Sequence, residues 1–127
     1  MPIQLNHTIA GATNKEDSAK FLVDILGAGT LVDYPPFLGV QLDNDVTIDF
    51  MDYGDVPITP LHYAFLVTED EWDGIFARIQ ERGLDYWADP HRNQLGEINH
   101  HDGGLGVYWE GPDGHLYEAI TRPYGSG

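Results

Sequence analysis

LHYAFLVTEDEWDGIFARIQERG, residues 61–83, divides into one strand and one helix. Leu61, Tyr63, Phe65 and Val67 alternate with His62, Ala64 and Leu66, the period of a strand with two unlike faces. Thr68-Glu69-Asp70-Glu71 forms a capping-box pattern, which predicts a helix start. Trp72, Ile75, Phe76 and Ile79 then share a helical face, Arg78 and Arg82 suit the helix C-terminus, and Gly83 supplies the stop. The same order occurs earlier in the chain. LNHTIA, residues 5–10, alternates as a strand, and from Asn14 the residues Ala19, Leu22, Ile25 and Leu26 keep helical spacing until Gly27.

After each helix the chain turns extended. In the first half, runs near Thr30–Tyr34, Leu38–Leu42 and Val46–Met51 follow, the last two joined by the polar turn Asp43-Asn44-Asp45. In the second half a short strand is expected near Tyr86, then a polar loop through WADPHRNQLGE, then a hairpin with arms GLGVYWE and HLYEAIT around Gly111-Pro112-Asp113-Gly114. Pro57 and Pro60 mark the break between the halves. The chain is therefore expected to be α+β, one domain over residues 1–127 built from two tandem βαβββ modules at about 1–56 and 57–124. His62 follows His7 by 55 positions, each near the start of its module.

Composition limits what such a chain can do. An apolar fraction of 42% in 127 residues suffices for one core and is too little chain for two independent domains. Twenty-one acidic residues against six basic ones give a formal charge of −15, which repels nucleic-acid phosphates and anionic lipid surfaces. No apolar run is long enough to cross a bilayer. The start MPIQLNH has neither a basic flank nor a long apolar stretch, and there are no cysteines, so a cytoplasmic protein is expected. Phosphate-cradling loops, a serine nucleophile elbow and paired zinc-binding cysteines are absent.

Strand parity singles out four polar residues. His7 shares a face with Leu5 and Ile9, and Glu118 with Leu116 and Ile120, so both interrupt rows expected to face the core. A carboxylate among apolar side chains costs several kcal/mol unless it is paired, protonated or bound to a cation. His62 is expected to point away from the bulky row that packs under the second helix. Asp49 mirrors Glu118 on the last strand of the first module. Each module thus places a histidine on its first strand and an acid on its last. Imidazole with carboxylate suits Fe(II), Mn(II), Ni(II) or Zn(II), and two histidines with one carboxylate leave coordination positions open. His115 has the opposite parity to Glu118 and is expected to be a solvated turn residue.

These residues resemble the vicinal oxygen chelate superfamily, which holds glyoxalase I, extradiol dioxygenases, fosfomycin-resistance transferases and bleomycin-binding proteins. The resemblance covers nearly the whole chain and implies paired βαβββ modules whose curved mixed sheets enclose a metal site. His7 in LNH, His62 in LHYAF and Glu118 in GPDGHLYEAI fall where the superfamily has its metal ligands, and Asp49 falls where glyoxalase I has a fourth. The hairpin is similar to the extradiol signature, with His100 or His101, Val107, Tyr108, Pro112, Gly114 and Glu118 in place. Gly111 departs from it, since that signature has a polar residue or Ala before the proline. The resemblance implies that His100 or His101 moves protons and that Tyr108 hydrogen-bonds a substrate oxygen.

The implied activity is a divalent-metal-dependent reaction on a small oxygen-chelating substrate. Fe(II) extradiol-type dioxygenase chemistry is favoured over Ni(II)- or Zn(II)-dependent glyoxalase-type isomerase or lyase chemistry. A non-catalytic, bleomycin-resistance-like binding protein is the remaining alternative, consistent with the acidity. A homodimer is implied in each case. Fosfomycin-resistance activity fits less well, because Ile9 stands where those enzymes have a threonine.

Overall fold

The computed structural model describes residues 2–127, which divide into two compact units, one ending at Thr59 and the other spanning Pro60–Gly127. In the first, β1 (His7–Ala12) leads into α1 (Lys15–Leu26) and then β2 (Thr30–Tyr34), β3 (Phe37–Gln41) and β4 (Thr47–Asp52). In the second, β5 (His62–Leu66) leads into α2 (Glu69–Glu81) and then β6 (Tyr86–Trp87), β7 (Gly106–Glu110) and β8 (Leu116–Ile120). Each unit is a βαβββ module with a four-stranded mixed sheet, ordered β1-β4-β3-β2 and β5-β8-β7-β6. The first and last strands of each unit run parallel and the other neighbours antiparallel. The α+β fold expected from the repeated pattern is the one observed.

The helix ends follow from local chemistry. Asn14 caps α1, its side-chain oxygen accepting from the N–H groups of Glu16 and Asp17 at 3.0 and 3.1 Å. Gly27 ends it in the left-handed region at φ 65°, which costs glycine least. Thr68 and Glu71 form a reciprocal capping box on α2, with Thr68 N–H donating to the Glu71 carboxylate at 2.8 Å. That backbone donor, with the Thr68 hydroxyl, holds the Glu71 carboxyl below its ordinary value of 4.5. Glu71's contribution to stability is accordingly present above pH 4.5 and is lost as pH falls through its lower folded value. Thr68→Ala is expected to cost about 1 kcal/mol. Denaturant melts of Thr68→Ala and the parent would measure it, and most of the difference is expected to persist at acid pH, because the lost hydroxyl accepts the Glu71 N–H whether or not the Glu71 carboxylate is protonated.

The first core is built from Ala10, Ala12, Ala19, Leu22, Ile25, Val40, Ile48 and Phe50, all essentially inaccessible. Here the face expected to be buried on β1 is reversed. Leu5 and Ile9, on either side of His7, are exposed, and the small residues Ala10 and Ala12 are buried instead. Small side chains let a helix lie close on a sheet, so bulk alone misjudges which face of β1 is covered. The second core is formed by Phe65, Trp72, Ile75, Ile79, Val107, Trp109, Tyr117 and Ala119. Trp72 Nε1–H donates to the Ala119 carbonyl at 3.2 Å, tying α2 to β8.

His115 is also a correction. It is buried rather than solvated, and its Nδ1 accepts the Leu61 N–H at 2.9 Å, which puts the ring proton of the neutral form on Nε2. It ties the start of β5 to the hairpin and lies on the core side of the sheet. Gly111, the departure from the extradiol signature, has a local cause. A Cβ there would stand 2.7 Å from Cε2 of buried Tyr117. Gly111→Ala is expected to destabilise unit two by about 1–3 kcal/mol, as other overpacked core positions do. An unchanged denaturation midpoint would contradict that packing.

Candidate metal and substrate site

The β5-β8-β7 register determines what faces what. Ala64 pairs with Glu118 and Glu118 with Tyr108, while His62 pairs with Leu116. Glu118 is therefore diagonal to His62 on the same face, a spacing that a glutamate can span. His62 Nε2 and Glu118 Oε1 lie 2.9 Å apart. Glu118 is 1% exposed and the His62 side chain 43%. Trp87, Tyr108 and Leu116 pack together on the same side of the sheet, and the Tyr108 ring lies 5.8 Å from that of His62.

The other carboxylate oxygen, Oε2, accepts the hydroxyl of Tyr124. Tyr124 O also lies 2.9 Å from Tyr108 O. A phenol carries a single proton, and that of Tyr124 is engaged by Glu118, so Tyr108 is the donor to Tyr124. Burial first, then the hydrogen bond to Tyr124 and the neighbouring Glu118 carboxylate, raise the Tyr108 phenol far above the ordinary tyrosine value. Burial and the Glu118 hydrogen bond also raise Tyr124. Both therefore keep their protons at neutral pH, and the order Tyr108 to Tyr124 to Glu118 is a relay of neutral donors onto a carboxylate.

An open cleft of about 430 Å³ adjoins this relay, lined by His101, Asp102, Tyr108 and Tyr124. The His101 ring meets Tyr124 edge-on at 6.1 Å. His100 instead lies within its own turn, its Nδ1 3.2 Å from the Gly104 carbonyl. Of the two histidines, His101 is thus the one beside the cleft. Asp102 and Tyr124 carried no signal in the sequence, because both lie in turns where no alternation applies.

The first unit repeats the register without repeating the contact. Ile9 pairs with Asp49, as Ala64 pairs with Glu118, so Asp49 is the positional counterpart of Glu118 and His7 of His62. An aspartate is one methylene shorter. Its Oδ1 occupies the space above Gly39, where a Cβ would stand 2.6 Å away. His7 Nδ1 lies 2.8 Å from Asn6 Oδ1, and His7 is exposed. Among the described residues no three His, Cys, Asp or Glu side chains are gathered to hold one ion.

The His62–Glu118 pair nevertheless has the chemistry of a partial metal site. It sets an imidazole nitrogen 2.9 Å from a carboxylate oxygen, and both residue types suit a catalytic divalent ion.

Two βαβββ units with a histidine–glutamate pair between first and last strands define a glyoxalase-type fold. The chain belongs to the Glyoxalase/Bleomycin resistance protein/Dioxygenase superfamily, whose family model matches residues 4–119. It is similar to the solved structure named Oxidase ChaP-H1, at 57% identity over 98% of this chain and 99% of that one, with a TM-score of 0.94. Oxidase ChaP-H2 is similar at 56% identity over 100% and 99%, with a TM-score of 0.96. The fosfomycin resistance protein FosX from Mesorhizobium loti shares the fold at 18% identity over 97% of this chain and 95% of that one, with a TM-score of 0.70.

No helix among the described residues is long and apolar enough to cross a membrane. The superfamily includes enzymes, and its members generally depend on a divalent metal.

Proposed function

We propose that this chain is a divalent-metal-dependent oxidase using Fe(II) extradiol-type dioxygenase chemistry on a small oxygen-chelating substrate, and that it acts as a cytoplasmic homodimer. The observation that carries the reading is the His62–Glu118 pair, with its carboxylate almost wholly buried and Tyr108 beside it. Two relatives above 50% identity, both named oxidases, support oxygen chemistry over the lyase alternative. Likeness at 15% identity to a lactoylglutathione lyase from Agrobacterium tumefaciens supports the fold alone.

His62 and Glu118 would hold the metal, and His7 and Asp49 are the further ligands that the superfamily resemblance implies. When bound, such an ion lowers the pKa of a chelating hydroxyl and brings an oxidant and a substrate together. The remaining roles belong to side chains. Tyr108 orients a substrate oxygen by donating its phenolic proton. His101, at the cleft, accepts a proton from the entering hydroxyl and returns it later, a task suited to imidazole near neutral pH. The exposed apolar residues Leu5 and Ile9 around His7, and Leu66 two residues along β5's face from Ala64, are the kind of surface that a second copy covers.

Oxygen consumption by Fe(II)-loaded protein with catechol tests the reaction. Uptake that depends on both Fe(II) and catechol, and falls at least about 100-fold in His101→Ala, is expected if His101 is the proton-transfer group. Isomerisation of a thiol adduct without oxygen uptake would contradict the reading.

A further inference from the structure

The oxygen of Tyr124 accepts from Tyr108 and donates to Glu118. This is the pair of hydrogen bonds that an entering ligand hydroxyl would make at the same place. The proton count has a consequence: while Tyr124 is in position, the one donor of Tyr108 is taken, and Tyr108 cannot orient anything else.

Tyr124 is carried on a strap after β8, residues 121–127, and the strap is held by polar contacts. The Asp102 carboxylate accepts the N–H of Gly125 at 3.0 Å and of Gly127 at 3.2 Å. Arg122 Nη2 donates to the Ser126 carbonyl at 3.3 Å, and the Ser126 hydroxyl to the Pro123 carbonyl at 2.6 Å. No residue from 122 to 127 is buried, and Tyr124 itself is 54% exposed. A segment with exposed hydrogen bonds and no buried apolar anchor opens at low free-energy cost. Asp102, which clasps it, also lines the cleft beside the relay.

We infer that Tyr124 is a displaceable stand-in for the ligand's hydroxyl, and that the Asp102-clasped strap makes it the specificity-determining residue of this cleft. An entering hydroxyl takes both hydrogen bonds in one exchange, and the strap swings off as it does so. A ligand with no hydroxyl cannot repay the two bonds lost and is rejected. The inference rests on the proposed function only in taking this face as the ligand's, and its test is run without metal.

The test compares metal-stripped parent protein with Tyr124→Phe and Asp102→Asn, using catechol as the probe. Tyr124→Phe keeps the ring and removes the competing hydroxyl, so catechol is expected to bind about tenfold more tightly by calorimetry. Asp102→Asn weakens the clasp while leaving the relay intact, and a smaller gain of about threefold is expected. In the parent, catechol is expected to speed amide exchange at Gly125 and Gly127, because their acceptor loses them as the strap leaves.

Unchanged or weaker binding in Tyr124→Phe would overturn the inference, as would slower exchange at Gly125 and Gly127, which would make Tyr124 a wall of the bound state. No catechol binding by any of the three proteins would overturn it too. Failure of the metal reading is separately visible: the metal titration would fail while the catechol differences persisted.

Discussion

Glu118→Ala is expected to lower affinity for Fe(II) or Mn(II) by at least about 100-fold, the upper end of what loss of a merely supporting group costs. It is expected to leave the fold standing. Glu118 is 1% exposed, so its removal takes a carboxylate out of the protein interior and relieves a desolvation cost. The donors it leaves behind are not stranded, because the His62 side chain is 43% exposed and Tyr124 54%, and both reach water. Stability of the metal-free protein is therefore expected to change by no more than about 1 kcal/mol. Equilibrium metal titration with a parallel denaturant melt separates the two quantities. Full metal affinity in the mutant would remove Glu118 from the ligand set.

His62→Ala is expected to do the opposite to stability while sharing the effect on metal. It leaves the buried Glu118 carboxylate with one hydrogen-bond donor fewer, at a cost of about 1–3 kcal/mol in the metal-free protein. Glu118→Gln added in the same chain removes the charge and is expected to recover most of that loss. The double-mutant cycle should therefore show a coupling of about 1 kcal/mol or more. Additive effects would mean that the 2.9 Å contact carries no energy and that the two residues are neighbours without being partners.

Much of this arrangement was legible in the sequence for a physical reason: strands and helices have fixed periods. Period two placed His62 away from Phe65, and Glu118 with Leu116, and the structure keeps both relations. Capping chemistry at Thr68 and Glu71 and a left-handed glycine at Gly27 marked the helix ends. Periodicity fails where the backbone is irregular. His100 and His101 are adjacent in a turn with Asp102 at φ 57°, so nothing in the pattern selected His101 for the cleft. Tyr124 lies beyond the last alternating residue and reaches Glu118 only because the strap folds back.

The two misread faces share another cause. Leu5 and Ile9 suggested a covered row around His7, yet the alanines of the other parity lie in the core. His115 suggested a polar turn, yet its side chain is buried and accepts the Leu61 N–H. In both cases tertiary packing, which leaves no periodic trace, overrode the local preference of the side chain. Asp49 and Glu118 show the limit of repeat logic: the register is the same, but the shorter side chain lies over Gly39 while the longer one meets its histidine.

The central claim is that His62 and Glu118 are two ligands of a catalytic divalent ion. Its most direct measurement is an anaerobic equilibrium titration of metal-stripped protein with Fe(II), Mn(II), Ni(II) and Zn(II) at neutral pH, together with the His62→Ala and Glu118→Ala variants. The account predicts one tightly bound ion per chain in the parent, lost in both variants, with Fe(II) supporting oxygen uptake. No binding by the parent, or binding that survives both substitutions, would contradict it.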